Sequence, residues 1–196
     1  MSQGRLLILG AGGHGKAVAE AAQLSAAWDE IVFVDDRWPA LTHVAGFTVV
    51  ASLQTLEQVC RPGDSAIAAV GNNALRERWL AQVRRLGIVV ATVVHPHASV
   101  SSTAEIGEGC AVMALAMVGV DALLGEGVII NAHATVDHDA CVEAYGHLGV
   151  GVHLAGGVTV GARAWLQAGC VAGYGVRVAA GVVMEPGRAL MHEPGV

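Results

Sequence analysis

The stretch Asn131-Ala132-His133-Ala134-Thr135-Val136-Asp137-His138-Asp139 sets two histidines beside two acids, and His147 follows nine residues after His138. A histidine with a pKa near 6.5 can take up a proton close to neutral pH. A carboxylate on its second ring nitrogen fixes the tautomer and stabilises the cation that forms. His138, with an acid on either side, is therefore equipped for general-base chemistry. A different chemistry is open to an overlapping set. His97, His133 and His138 are spaced 36 and 5 residues apart, and three histidines around zinc leave a fourth position for hydroxide. For His133 and His153 a solvated or satisfied side chain is the simpler reading. No cysteine or serine is placed as an obvious covalent nucleophile.

A second chemical signal lies near the start. Arg5 to Leu9 is an apolar run, followed by Gly10-Ala11-Gly12-Gly13-His14-Gly15-Lys16. A helical pattern covers Lys16 to Trp28, and a second strand, Ile31 to Val34, ends in Asp35-Asp36. Strand, glycine turn, helix, strand and acid make a dinucleotide-type fingerprint, in which glycines let the backbone approach phosphates at a helix N-terminus. Three readings stay open: NAD binding, a turn that serves tight packing only, and a mononucleotide or nucleotide-sugar site. Full NAD binding uses two such halves, and only about 95 residues precede the next architecture. In the third reading Asp35 or Asp36 accepts from a base or ribose.

Two kinds of element must position these groups. The first is a small parallel α/β sheet over residues 1–95, with a short helix at Leu53 to Val59, a strand at Ser65 to Val70, a helix at Leu75 to Leu86 and a last strand at Ile88 to Val94. The arginines at 76, 78, 84 and 85 read as a solvated face of that helix. His95-Pro96 marks the boundary, because the residue before proline is pushed out of the helical region. The second element, residues 96–196, is a repeat of six. From Val100 to Met184 every sixth residue is apolar, fifteen positions in a row. At 54% hydrophobic content the chance of this is roughly one in ten thousand. A second column two residues earlier, Ala98 to Val182, is small or β-branched throughout. Two inward positions per hexad read as a short strand and a turn, stacked as a β-helix. The polar stretch at 131–143 is the one break in the repeat.

Composition excludes other classes. Mean hydropathy is +0.53, yet the longest apolar runs fall short of the ~18–20 residues needed to span a bilayer. The start of the chain enters a strand directly, so neither a signal peptide nor membrane insertion is expected. Net charge is −6, which argues against a nucleic-acid partner. The four cysteines form no CxxC pair and fit a reducing, cytoplasmic compartment, with Cys110 and Cys170 as small core residues.

The glycine turn, the Asp35-Asp36 pair, Val70-Gly71-Asn72-Asn73 and the polar break together resemble the bacterial nucleotide-sugar acetyltransferases of the sialic acid O-acetyltransferase family. Within it the sequence is most similar to the UDP-4-amino-sugar N-acetyltransferases of the bacillosamine pathway. The resemblance spans about residues 5 to 184. It implies a Rossmann-like nucleotide-sugar domain followed by a left-handed parallel β-helix of about five coils, three hexads to a coil. It also implies a homotrimer with active sites between subunits, acetyl-CoA as co-substrate, and no metal. His138 matches the catalytic histidine, Asp139 the acid that orients it, and Asn131 an active-site asparagine. His147 matches a histidine beside the acetyl group, while Gly156 and Ala168 match coenzyme contacts. Gly12, Gly13 and His14, with Asp35, Asp36 and Asn72, match the nucleotide-sugar side. The expected reaction is N-acetylation of the 4-amino group of a UDP-linked 4-amino-4,6-dideoxy sugar for surface glycans. A GDP-linked 4-amino sugar of the perosamine type or a sialic acid hydroxyl would need nearly the same residues. The histidine triad instead resembles the gamma-class carbonic anhydrases, which use the same β-helix. Where the family usually carries a Gly-x-Pro-Ala-Lys pattern, this sequence reads Glu185-Pro186-Gly187-Arg188.

Overall fold

The structure is a computed structural model that describes residues 4–191. The ends of both expected domains, 1–3 and 192–196, lie outside the described residues. Contacts divide the chain into two compact units at the Pro96–His97 bond.

In the first unit β1 (Arg5–Leu9) is buried along its whole length and is central. It pairs in parallel with β2 (Glu30–Val34) on one side and β5 (Ser65–Ala68) on the other. Such a fully apolar strand suits a sheet covered on both faces. Two elements extend the sheet beyond the expected parallel core. An antiparallel hairpin, β3 (His43–Val44) with β4 (Phe47–Ala51), adds to the β2 edge, and β6 (Val89–Val90) adds beyond β5. The expected long strand at 88–94 is thus two short pieces, β6 and Val93–Val94. Helix α1 (Gly13–Ser25) begins inside the glycine turn, three residues earlier than the apolar pattern indicated, and ends on Ala26 in the left-handed region. Helix α2 (Leu56–Val59) follows a 3₁₀ turn capped by Ser52. Helix α3 (Asn73–Arg85) is capped by the Asn72 side chain, which accepts from the Leu75 amide at 3.0 Å.

One correction concerns α3. Arg76 is not part of a solvated face; it is fully buried. Its guanidinium donates to the Val70 carbonyl at 3.0 Å and to Asn73 Oδ1 at 2.9 Å. The loop 70–73 curls back over the first turn of α3, so a position that is polar on the helix wheel lies under the loop instead of in water. A second buried cation, Arg5, is matched by Asp64 at 2.6 Å and by the Val59 carbonyl, as a buried charge requires.

The second unit is a left-handed parallel β-helix with three faces. Each hexad contributes a two-residue strand, and residues eighteen apart pair in register, as in Val118↔Val136 and Val136↔Leu154. Three hexads therefore make one coil. Strands Ile129–Ile130, His147–Leu148 and Trp165–Leu166 lie on the first face; Thr135–Val136 and His153–Leu154 lie on the second; Cys141–Val142 and Thr159–Val160 lie on the third. Both inward columns are buried at every position from Cys110 to Val178. Each buried Val, Leu or Ile contributes roughly 1.5–3 kcal/mol. The period runs one hexad past Met184, to a strand at Ala189–Leu190.

A third column was not visible in the apolar pattern. Every sixth residue from Gly109 to Gly187 has a positive φ, fourteen corners in all. Eight of these are glycine; Asp121, His133 and Asp139 are types that tolerate the left-handed region, and Leu115, Tyr145 and Arg163 are not.

Candidate active site

Asp137, His138 and Asp139 form the corner between the second and third faces. The local sequence sets this geometry. Asp139 occupies the left-handed corner position, φ 58°, which turns its carboxylate back toward the residue before it. His138 Nδ1 donates to Asp139 Oδ2 at 2.7 Å. Asp137 Oδ1 accepts from the His138 amide at 2.8 Å and closes the same turn. The His138 pKa is raised above the ordinary histidine value, first by the hydrogen bond to Asp139 and then by the charge of Asp137. A carboxylate can only accept, so Nδ1 carries the proton and Nε2 is left as the basic nitrogen. The ring is half exposed.

The coils above complete this corner. Gly156 lies one coil further on, and a methyl group there would stand 2.5 Å from His138 Cε1 and Nε2. The glycine is required because the imidazole rests on its Cα. Tyr174, another coil on, packs by the same glycine with its ring centroid 6.4 Å from that of His138. Sequence reading missed Tyr174; stepping 18 residues twice from His138 leads to it.

The structure does not bring the other expected β-helix residues to this corner. Asn131 sits at the corner between the first and second faces, where its Oδ1 accepts from the Ala132 amide at 2.9 Å. Ala168 lies two coils along that same edge, exposed, and its carbonyl accepts from Gly187. His147 is on the first face, buried, and stacks on Trp165 at 5.3 Å with 8° between the rings. The three histidines of the zinc alternative separate as well. His97 and His133 lie on the first edge, two coils apart, and His138 on the next. Among the described residues no group of three or more His, Cys, Asp or Glu converges to hold a metal.

In the first unit, the carboxyl ends of β1, β2 and β5 bring the glycine turn, Asp35-Asp36 and the loop to Asn72 to one end of the sheet. This is where open α/β sheets bind ligands. The glycines divide by role. Gly10 has φ 101° and packs against the Ala69 carbonyl and Trp79; a side chain on Gly15 would collide with the Gly10 carbonyl. These two serve packing. Gly12 and Gly13 have nothing within 4 Å of an added Cβ, so they leave the first turn of α1 open. His14 lies beside them with its Nε2 buried and without a hydrogen-bond partner. Burial, and then the charge of Arg76, holds its pKa down at about 4, so the ring is neutral at pH 7.

The two acids already have partners. Asp35 accepts from the Ala11 amide at 2.8 Å and pairs with Arg37 at 2.7 Å. The Arg37 hydrogen bond, more than the Ala11 amide, brings its pKa to about 2. Asp36 accepts from the Leu53 amide at 3.0 Å, at the start of the 3₁₀ turn. Asp35 thus braces the glycine turn, and Asp36 fixes the loop after β4.

Residues 5–83 match the family described as PglD N-terminal domain. The chain is similar to a variant of perosamine N-acetyltransferase from Caulobacter crescentus, solved in complex with CoA and GDP-perosamine. Identity is 34% and the TM-score 0.86, over 95% of this chain and 90% of that one. It is also similar to the acetyltransferase domain of PglB from Neisseria gonorrhoeae, solved with acetyl coenzyme A. Identity there is 34% and the TM-score 0.77, over 93% of this chain and 96% of that one. WeeI from Acinetobacter baumannii, at 20% identity and a TM-score of 0.62, shares the fold. With a third of its residues identical over nearly the full length of two such proteins, the chain belongs to the bacterial nucleotide-sugar acetyltransferases of the hexapeptide-repeat family.

Proposed function

We propose that this protein transfers the acetyl group of acetyl-CoA to the 4-amino group of a nucleotide-linked sugar, with a UDP-linked 4-amino-4,6-dideoxy sugar as the first choice of acceptor. The observation that carries the reading is the His138–Asp139 pair at 2.7 Å, which leaves Nε2 as a base on a half-exposed corner. The free amine attacks the thioester carbonyl while His138 Nε2 takes its proton. The tetrahedral intermediate collapses, the C–S bond breaks, and the His138 imidazolium returns the proton to the departing thiolate. Asp139 holds the ring in one tautomer and stabilises the imidazolium. A backbone amide, Asn131 or His147 donates to the oxyanion.

The first unit supplies nucleotide-sugar contacts in this reading. The open first turn of α1 at Gly12 and Gly13 takes the diphosphate. The unpaired His14 Nε2 offers a further polar contact, and Asn72 lies across the same sheet end. Asp35 and Asp36 act near the nucleotide while bracing their loops. The second unit, with Gly156, Ala168 and His147, takes the coenzyme. Asn131 and Ala168 lie on a different edge of the β-helix from His138, which supports a homotrimer whose sites combine two copies. All four cysteines are free, which supports the cytoplasm as the compartment.

A GDP-linked 4-amino sugar is the second reading, favoured by the 34% identity to the perosamine enzyme. The deciding experiment is thiol release from acetyl-CoA with UDP- and GDP-linked 4-amino sugars, free sialic acid, and no acceptor. Release with one 4-amino sugar, falling about 100-fold or more in His138→Ala while acetyl-CoA still binds, fixes reaction and acceptor together. Unchanged turnover in that variant removes His138 from the mechanism. Silence across the panel with stoichiometric zinc in the purified protein points to hydration chemistry instead.

A further inference from the structure

We propose that Tyr174 is an acceptor-positioning residue: its ring walls the space in front of His138 Nε2, holding the amino sugar against the base and keeping water from it. The proposal rests on the acetyl-transfer reading above.

Asp139 occupies Nδ1 of His138, so the proton must arrive at Nε2. An amine that delivers it comes within about 3 Å of that atom. The surroundings of Nε2 on this corner are few. Gly156 offers only its Cα, since a methyl there would meet Nε2 and Cε1 at 2.5 Å. The same methyl would meet Tyr174 Cε2 at 3.1 Å. The two rings therefore close on one bare glycine, from the coil below and the coil above. Their centroids are 6.4 Å apart and their planes 47° apart, so they form an open V and not a stack. The tyrosine face is therefore one wall of the approach to Nε2. The ring is also 71% exposed, with only one edge set against Gly156 and the His138 ring. Gly173 and Gly175 flank it, and Gly175 holds the left-handed corner. An exposed aromatic face on this corner suits a wall for a sugar, because aromatic faces cover the apolar C–H side of a ligand and leave its polar groups free.

The test compares Tyr174→Ala, Tyr174→Ser and Tyr174→Phe in the full chain, using acetyl-CoA and the nucleotide-linked 4-amino sugar that the wild type turns over best. Truncation to Ala or Ser should raise the acceptor KM about tenfold or more and raise the share of acetyl-CoA hydrolysed without acetylating sugar. Tyr174→Phe should match wild type, since the ring and not the hydroxyl does the positioning. Melting temperatures should stay at the wild-type value for a side chain this exposed; if one truncation lowers its melting point, the other is read. An acceptor KM within about twofold of wild type in a folded truncation overturns the proposal, as does an acetyl-CoA KM that rises while the acceptor KM does not. His138→Ala run alongside separates the two readings. If it is inactive and the truncations are normal, only the role of Tyr174 falls. If it keeps its turnover, the base assignment fails and takes this proposal with it.

Discussion

Three adjacent residues, Asp137, His138 and Asp139, build the second corner of the β-helix, and their order sets its geometry. His138 projects from the corner, and Asp139 is turned back by its left-handed backbone to reach the ring. A raised pKa means that the basic form exists only above that value, so kcat/KM should rise with pH through a limb above the ordinary histidine range. Asp139→Asn removes the chief cause of the shift. The limb should then move to lower pH and the plateau fall about tenfold or more, measured as kcat/KM from pH 5 to 9. An unmoved limb would assign the titration to another group. Gly156→Ala tests the shelf under the ring. The new methyl must displace the imidazole, so kcat should drop about 10- to 100-fold with the melting temperature unchanged. A fully active variant would show that the ring does not need its present seat.

At the scale of elements, the glycine turn and α1 make the clearest case. Gly10 and Gly15 allow close packing, and Gly12 and Gly13 leave space. Gly13→Val should therefore fold normally and weaken the nucleotide sugar about tenfold or more, with acetyl-CoA unaffected in calorimetry. Equal loss of both would indicate a folding defect. This division of roles was not legible in the sequence, where Gly10, Gly12 and Gly15 satisfy one G-x-G-x-x-G pattern. The hairpin His43–Ala51 was also illegible, because its strands are short and half exposed. Arg76 misled for a physical reason: helix periodicity reports direction around the axis, and cannot show a loop folding over that side. The β-helix was legible because inward residues must be apolar in every hexad. Its left-handed corners were not, because Leu115, Tyr145 and Arg163 occupy them along with glycines. The His138–Asp139 pair was legible because its partners are neighbours in sequence. Tyr174 was hidden by two coils.

For the whole molecule, Asn131 and Ala168 lie on a different edge from His138, and the proposed reaction then requires sites built from two copies. The protein should sediment at three times its 20.0 kDa chain mass; a monomer at micromolar concentration would contradict sites built from two copies. The unbroken run of left-handed corners from Gly109 to Gly187 carries one more consequence. Any length change that is not a multiple of six turns inward side chains to water, and one that is six or twelve rotates every later corner onto a different edge. Between residues 138 and 174 only steps of eighteen keep His138, Gly156 and Tyr174 in one line. There the β-helix can lengthen or shorten across evolution, or in an engineered chimera, only by whole coils, as a stack of interchangeable discs does.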